Sequence, residues 1–257
     1  MYQEERLVRI LERLKKRKTL SVSDICLNYH VSRDTARRDI IKLTDQGAAI
    51  RTRGGIALPE FKETLLAYRD RLQNYSAEKI KIGSAALKYL RKRGYYFLNA
   101  STTVSCMAKA LNTESVIYTH SLDVAEILSN QTKTAVSLFG GALNTANRYF
   151  FDAKTLQQLL RIHFDAAFLG TAGITSDGFY YDDQDDAAVN ETVSTRAGRT
   201  IVLAEDNKFL KHSRFRGLDW EQVDMIITNT KPPSAFLLKA GEAGTQIIMT
   251  GEEKNDH

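Results

Sequence analysis

The stretch over residues 22–58 constrains this chain most, because helix, break, capped helix and hairpin signals follow one another there in register. Val22, Ile25, Cys26 and Tyr29 recur at i, i+3, i+4 and i+7, the stripe of a short helix with one buried face. His30-Val31 breaks the pattern, and Ser32 stands where an N-cap belongs, able to accept a backbone N–H of the next helix. The spacing predicts that helix over about 33–44, burying Ala36, Ile40 and Leu43. At about 100° per residue, the opposite face carries Asp34, Arg38, Ile41 and Lys42, with Thr35 and Arg37 on its flanks. Guanidinium groups near the start of such a helix can clamp guanine bidentately in a major groove, or neutralise a phosphate. Beyond Gly47, residues 48–53 and 56–58 flank Gly54-Gly55, which reads as a two-residue hairpin turn with Arg51 and Arg53 on its stem. The whole is expected to be a winged helix-turn-helix, contacting DNA through Ser32, Arg33, Thr35, Arg37, Arg38, Lys42, Arg51 and Arg53. A solvated basic face on a plain interaction domain is the competing reading, and the agreement of four signals weighs against it.

The wording of this stretch is familiar as well. Val31-Ser32-Arg33-Asp34-Thr35-Ala36-Arg37-Arg38-Asp39-Ile40, followed by Arg51-Thr52-Arg53-Gly54-Gly55, closely resembles the start of DeoR-family bacterial transcriptional regulators. In that family the pattern is Val-Ser-x-x-Thr-Ile-Arg-Arg-Asp-Leu, then Arg-x-His-Gly-Gly. This chain has Ala36 in place of Ile and Arg53 in place of His.

Charge is unevenly distributed. Residues 1–58 hold 13 Lys and Arg against 7 Asp and Glu, a net +6, whereas the remaining 199 hold 23 against 24. A basic head on a near-neutral body is what a nucleic-acid module fused to a second function produces. The run Lys15-Lys16-Arg17-Lys18 ends a first helix whose core stripe is Leu7, Ile10, Leu11 and Leu14. That run suits either phosphate contact or a solvated turn complementing the helix dipole. Cys26 and Cys106 are the only cysteines, and the five histidines are scattered, so neither a disulfide framework nor a metal-ligand spacing arises. No apolar run reaches a membrane-spanning length and no secretory leader opens the sequence, so a soluble, cytoplasmic protein without metal or cofactor is expected.

The boundaries read as a winged helix-turn-helix over 1–58, a linker helix over 59–75 marked by Phe61, Leu65, Tyr68 and Leu72, and an α/β domain over 76–257. Ser76 caps a helix expected to bury Ile80, Gly83, Leu87 and Leu90. Apolar strand-like runs follow at 95–98, 115–119, 135–139, 166–169, 200–204, 225–228 and 246–249. Helical stretches separate most of them, for example at 122–128, 155–162 and 187–197. Continuous apolar strands spaced by helices argue for a mostly parallel sheet covered on both faces, and no GxGxxG motif supports a dinucleotide site.

In such sheets, ligands bind beyond the carboxyl ends of the strands. The loops there are small and polar: Asn99-Ala100-Ser101-Thr102-Thr103, Thr119-His120-Ser121 and Gly140-Gly141. Hydroxyls and N–H groups at a helix start form a plausible phosphate cradle, with Lys79 and Lys208 supplying charge; ordinary capping chemistry is the alternative. Asp182, Asp183, Asp185 and Asp186 read as helix-start acids rather than metal ligands, with Asp186 a candidate ligand contact.

The resemblance extends through this body. The family's effector domain resembles sugar-phosphate isomerases in fold, and its Asp-x-Gly-Thr-Thr loop aligns with residues 99–103. Its Thr-Asn-Ser aligns with Thr119-His120-Ser121, its Gly-Gly with Gly140-Gly141, and its lysine-bearing helix with Ala187-Ala188-Val189-Asn190. Its Asp-His-Ser-Lys-Phe matches Glu205-Asp206-Asn207-Lys208-Phe209. Departures fall where a ligand would sit: Asn99 for Asp, Ser101 for Gly, Asn190 for Lys and Asn207 for Ser. The resemblance implies a homo-oligomeric repressor of carbohydrate genes that binds operator DNA under control of a phosphorylated sugar. Its effector would be held by Lys79, Asn99, Ser101, Thr102, Thr103, His120, Ser121, Gly140, Gly141, Asp186, Asn190 and Lys208. The alternative is a sugar-phosphate isomerase-like enzyme with a DNA-binding appendage, against which Asn99 and Asn190 cannot exchange protons as carboxylate and amine would.

Overall fold

Leu7, Ile10 and Leu14 lie about one helical turn apart, and in the computed structural model they seat α1 (Gln3–Arg17) on the core of a small N-terminal unit. Residues 3–17, 19–45, 48–52, 54–57 and 75–251 are described. The chain divides into two units, Met1–Gln73 and Asn74–His257. The linker helix expected over 59–75 falls almost wholly outside the described residues, as does Arg53.

In the first unit β1 (Thr19–Ser21) leads into α2 (Val22–Tyr29), and α3 (Arg33–Asp45) precedes β2 (Ile50–Thr52) and β3 (Gly55–Ala57). A capping box starts α2: the Asp24 N–H donates to Ser21 Oγ at 3.0 Å, and the Ser21 N–H donates to Asp24 Oδ2 at 3.0 Å. His30 ends α2 in the left-handed region, at φ 52°. Ala36, Ile40 and Leu43 are buried as the periodicity requires, and Ile25, Leu20 and Ile56 complete the core.

The wing holds a surprise in register. Thr52 pairs with Gly55, so Gly55 is the first strand residue rather than half of the turn. Gly54, at φ +101°, supplies the left-handed backbone. Gly55 meets a different demand, because a Cβ there would stand 2.0 Å from Leu20 O. The cause is β1, a third strand that pairs with β3 and closes the sheet in the order β1-β3-β2; three residues alone left no periodic signal for it.

In the second unit α4 (Ala77–Ala86), β4 (Tyr95–Leu98), α5 (Thr102–Ala110), β5 (Ser115–Thr119), α6 (Leu122–Ser129) and β6 (Thr134–Leu138) alternate. An antiparallel hairpin, β7 (Ala142–Asn144) and β8 (Tyr149–Phe151), then precedes α7 (Ala153–Leu159) and β9 (Ala166–Leu169). After β10 (Gly173–Thr175) and β11 (Gly178–Tyr181) come α8 (Gln184–Ser194), β12 (Thr200–Leu203), β13 (Phe215–Leu218), β14 (Met225–Thr228), α9 (Ser234–Ala243) and β15 (Gln246–Met249). Seven strands form one parallel sheet in the order β15-β14-β12-β9-β4-β5-β6. Alternate residues feed two cores: Phe97, Ala167, Leu169 and Val202 face one, while Tyr96, Leu98, Phe168 and Ile201 face the other. The α/β sheet expected from the apolar runs is thus present, strand for strand, with ends shifted by one residue at β6 and β12.

Two details differ from expectation. Gly83 is buried as expected and Leu87 and Leu90 are half-buried, but Ile80 is exposed, and Ile82 and Ala86 are buried because the contact of α4 with α5 lies on their side. The antiparallel sheet β10-β11-β13 is also additional; its short strands alternate too briefly to read.

The strand order places a switch point between β4 and β9. From β4 the chain winds outward through β5 and β6, then returns to the other side of β4 and winds away through β9, β12, β14 and β15. Loops leaving β4 and β9 therefore diverge and open a crevice at their carboxyl ends.

Candidate DNA interface and effector site

Recognition by α3 depends on which side chains its buried stripe leaves outside. Arg33, Asp34, Arg37, Arg38 and Ile41 are exposed, Thr35 and Lys42 are half-buried, and Arg51 is exposed on β2. Among the described residues none of Arg33, Arg37, Arg38, Lys42 or Arg51 is held in an ion pair. Ser32 caps the helix, accepting from the Thr35 N–H at 3.2 Å, and its hydroxyl lies 3.0 Å from Thr35 Oγ1. The start of the basic face is thereby fixed in place.

The buried stripe contains a carboxylate that the apolar pattern did not disclose. Asp39 is fully buried, and Arg6 of α1 donates to it through Nε at 2.6 Å and a terminal nitrogen at 3.1 Å. Gln3 adds a donor at 3.2 Å. The bond to Asp39 raises the Arg6 guanidinium above its ordinary value despite burial. This fork fixes α3 against α1.

At the switch point of the sheet, four of the expected effector residues form one chain of hydrogen bonds. Asn99 Nδ2 donates to Gly170 O and to Asn190 Oδ1, both at 3.0 Å, and the Gly170 N–H donates to Asn99 Oδ1 at 2.8 Å. Asn190 Nδ2 donates to the Asp186 carbonyl at 2.7 Å and to its Oδ1 at 2.8 Å. His120 Nε2 lies 3.2 Å from Asp186 Oδ1. Asn99, His120 and Asn190 are buried, so every amide proton of the two asparagines is spent on the protein. They tie β4, β9 and α8 together. His120 stacks on Phe97 and meets the edge of Tyr149, and its Nδ1 is buried without a hydrogen-bond partner.

The Ser101–Thr103 segment opens α5 beside this network. Ser76, Ser121 and Ser32 all accept cap bonds, whereas the Ser101 hydroxyl caps nothing. It stands against Gly170, where a Cβ would be 2.0 Å from Ser101 Oγ. Thr102 is half-buried and Thr103 buried. Lys79 pairs with Glu205 at 3.4 Å, and Ser76 donates to the same carboxylate at 2.8 Å. Lys208 is half-buried; burial, then the charges of Lys211 and Lys79, pull its ammonium below the ordinary lysine value against the opposing Glu205 and Asp182.

Other expected residues lie elsewhere. Gly140 and Gly141 sit on an exposed turn into β7, where Gly141 backs onto Phe151 O. No hydrogen bond among the described residues joins them to the network. Asp182 accepts from Ser213 at 2.6 Å and Asp183 from Asn144 and Asn147, so these acids tie the start of α8 to the segment before β13 and to the β7–β8 hairpin.

Comparison with known proteins decides the family. Residues 6–62 match the DeoR-like helix-turn-helix domain, and residues 74–230 match the DeoR C-terminal sensor domain. The chain belongs to the DeoR family of transcriptional regulators. This DeoR-family regulator is 35% identical over 255 residues to the HTH-type transcriptional repressor GlcR of Bacillus subtilis, covering 99% of both chains. It is 28% identical to a putative aga operon transcriptional repressor of Escherichia coli O157:H7, over 96% of this chain and 94% of that one. It is 26% identical to the glycerol-3-phosphate regulon repressor of Escherichia coli K12, over 92% and 95%. The family and these relatives are regulators, not enzymes, which removes the isomerase alternative. Among the described residues, no helix is long and apolar enough to cross a membrane.

Sequence reasoning missed Arg6, Asp39, Gly170 and Glu205. Asp39 was detectable, since a carboxylate one turn from Ala36 and Leu43 falls on the buried stripe and requires a partner. The other three are joined to their partners across 33, 71 and 129 residues, separations that periodicity does not reach.

Proposed function

We propose that this DeoR-family regulator is a cytoplasmic repressor of carbohydrate genes, released from or retained on its operator by a phosphorylated sugar or related anionic metabolite. The observation that carries the reading is the start of α5, which opens at the end of β4 beside the switch point with a first hydroxyl that caps nothing. Lys208 is half-buried, with Lys79 and Lys211 acting on its ammonium against Glu205 and Asp182. Backbone N–H groups at the start of α5, with Ser101, Thr102 and Thr103, supply donors for phosphate oxygens. The relative named for a glycerol-3-phosphate regulon adds support for a phosphorylated ligand. The network through Asn99, Asn190, Asp186 and His120 then lies under the non-phosphate part of the ligand, with His120 Nδ1 as a spare hydrogen-bonding atom.

Calorimetry with hexose and amino-sugar monophosphates tests this. One of them is expected to bind wild type and to lose at least tenfold in affinity in the Thr102→Val, Thr103→Val pair. Equal binding by that variant, or an effector lacking an anionic group, removes the site. Affinity is also expected to fall as pH rises through the lowered Lys208 value, where the ammonium gives up its charge; affinity flat into the ordinary lysine range would exclude Lys208 as a phosphate partner. Effectors of this kind shift operator binding by about 1–3 kcal/mol, the differential affinity for the two states.

DNA is proposed to be read by Ser32, Arg33, Thr35, Arg37, Arg38, Lys42, Arg51 and Arg53, the last from outside the described residues. A single winged module buries only about 600–1,000 Å² on DNA, so two heads on one pseudo-symmetric site are needed for selectivity. A homo-oligomer held by residues 76–257 follows, with half-sites a whole number of helical turns apart. Light scattering on the full chain should show a dimer or larger at micromolar concentration; a monomer both free and on DNA contradicts it.

A further inference from the structure

The N-terminal unit has a second concentration of positive charge, outside the residues assigned to the major groove. One side of α1 presents Arg9, Arg13, Lys16 and Arg17, facing Asn28, Tyr29 and His30 at the end of α2. These residues and Glu12 line a groove of about 710 Å³. Its floor is fixed, because Tyr29 Oη donates to the Arg9 carbonyl at 2.9 Å. Arg9 is tied to Glu5 at 2.8 Å on the surface. Among the described residues, Arg13, Lys16 and Arg17 make no ion pair. Glu5, Glu12 and Asp24 are the acids nearby; hydrogen bonds with Ser21, and then the charges of Arg17 and Arg13, hold the Asp24 carboxyl below its usual range. The cations outnumber the acids, so the groove suits an anion.

We propose that this groove holds a phosphodiester segment of the same operator duplex whose major groove receives α3. The proposal rests on the DNA-binding reading and extends it to a surface that the recognition-helix pattern does not include. The groove ends at His30, and α3 begins at Arg33, so it borders the N-terminal end of the recognition helix. A helix about 10–12 Å across fills a major groove about 12 Å wide, which brings the flanking phosphates against whatever borders its end. Guanidinium groups match phosphate oxygens as bidentate donors. The lining carries two rings, Tyr29 with its hydroxyl already engaged and the imidazole of His30, against four cations, so charge rather than a row of stacking surfaces dominates the groove. Backbone contact adds affinity and register without sequence preference.

The experiment compares wild type with an Arg13→Ala, Arg17→Ala variant of the full chain. Fluorescence anisotropy follows binding to a duplex selected by wild type from a random pool, and to a scrambled duplex of equal length, across a salt series. The expected result is a log–log salt slope shallower by roughly 1.8, about 0.9 for each phosphate that is no longer neutralised, on both duplexes. Affinity for the two should fall by the same factor, with the selected sequence unchanged. Should that variant melt early by circular dichroism, Arg9→Gln with Lys16→Gln gives the same reading from two exposed side chains. An unchanged slope while wild type binds the selected duplex overturns the proposal alone. A loss confined to the selected duplex also overturns it, since the arginines would then read bases. If wild type binds neither duplex, the DNA-binding reading fails and takes the proposal with it.

Discussion

Replacing Arg37 and Arg38 with alanine is expected to abolish selective operator binding while leaving both units folded. Both side chains are exposed on α3, and no ion pair among the described residues holds them, so truncation removes no packing and strands no buried charge. A base-contacting arginine contributes about 1–3 kcal/mol of discrimination. Together the two changes should therefore weaken the selected duplex by about thirtyfold or more. Arg38 points from the middle of the exposed face, opposite the stripe of Ala36, Ile40 and Leu43, and Arg37 flanks it. The single Arg38→Ala change should accordingly relax sequence preference more than Arg37→Ala, which should act more through salt dependence. Footprinting beside a thermal melt checks this. A retained footprint at wild-type affinity would remove α3 as the reading element.

How much of this was legible beforehand depends on how far apart the cooperating residues lie in sequence. The α3 stripe, the Ser32 cap and the seven apolar strands are local patterns, and they recur in the structure with ends shifted by a residue or two. The wing was half legible. Gly54-Gly55 announced a turn, but the strand β1 that forces Gly55 to lack a side chain is three residues long. In the sensor unit, the loops after β4 and β5 stood out as a candidate site from their hydroxyls and their place behind apolar strands. Their internal wiring was not. Asn99 reaches Gly170 and Asn190 across 71 and 91 residues, so the bonds that join two candidate effector residues to each other and to β9 left no local pattern. The exposed turn at Gly140-Gly141 leads into a hairpin, β7 and β8, too short to have been foreseen.

Asp39→Ala is expected to unfold the DNA-binding unit without disturbing the sensor unit. The carboxylate is fully buried and accepts both guanidinium bonds from Arg6 as well as one from Gln3, so its removal takes a buried acceptor and its charge away from the Arg6 guanidinium. Breaking such a pair from one side costs about 3–5 kcal/mol. A module of some sixty residues has little to spare, since small domains bury a lower fraction of their surface and are only marginally stable. Denaturation of wild type should show two transitions, one for each unit, and the variant should lose the first while keeping the second at the same midpoint. Operator binding would vanish with it. The paired change Arg6→Met, Asp39→Leu separates charge compensation from shape, because it removes both charges and keeps the volume roughly constant. It should restore most of the lost stability, as apolar replacements of buried ion pairs commonly do. If Asp39→Ala melts like wild type, the fork between α1 and α3 contributes nothing. If the double change is as unstable as the single one, the pair is needed for the geometry of its hydrogen bonds rather than for charge balance.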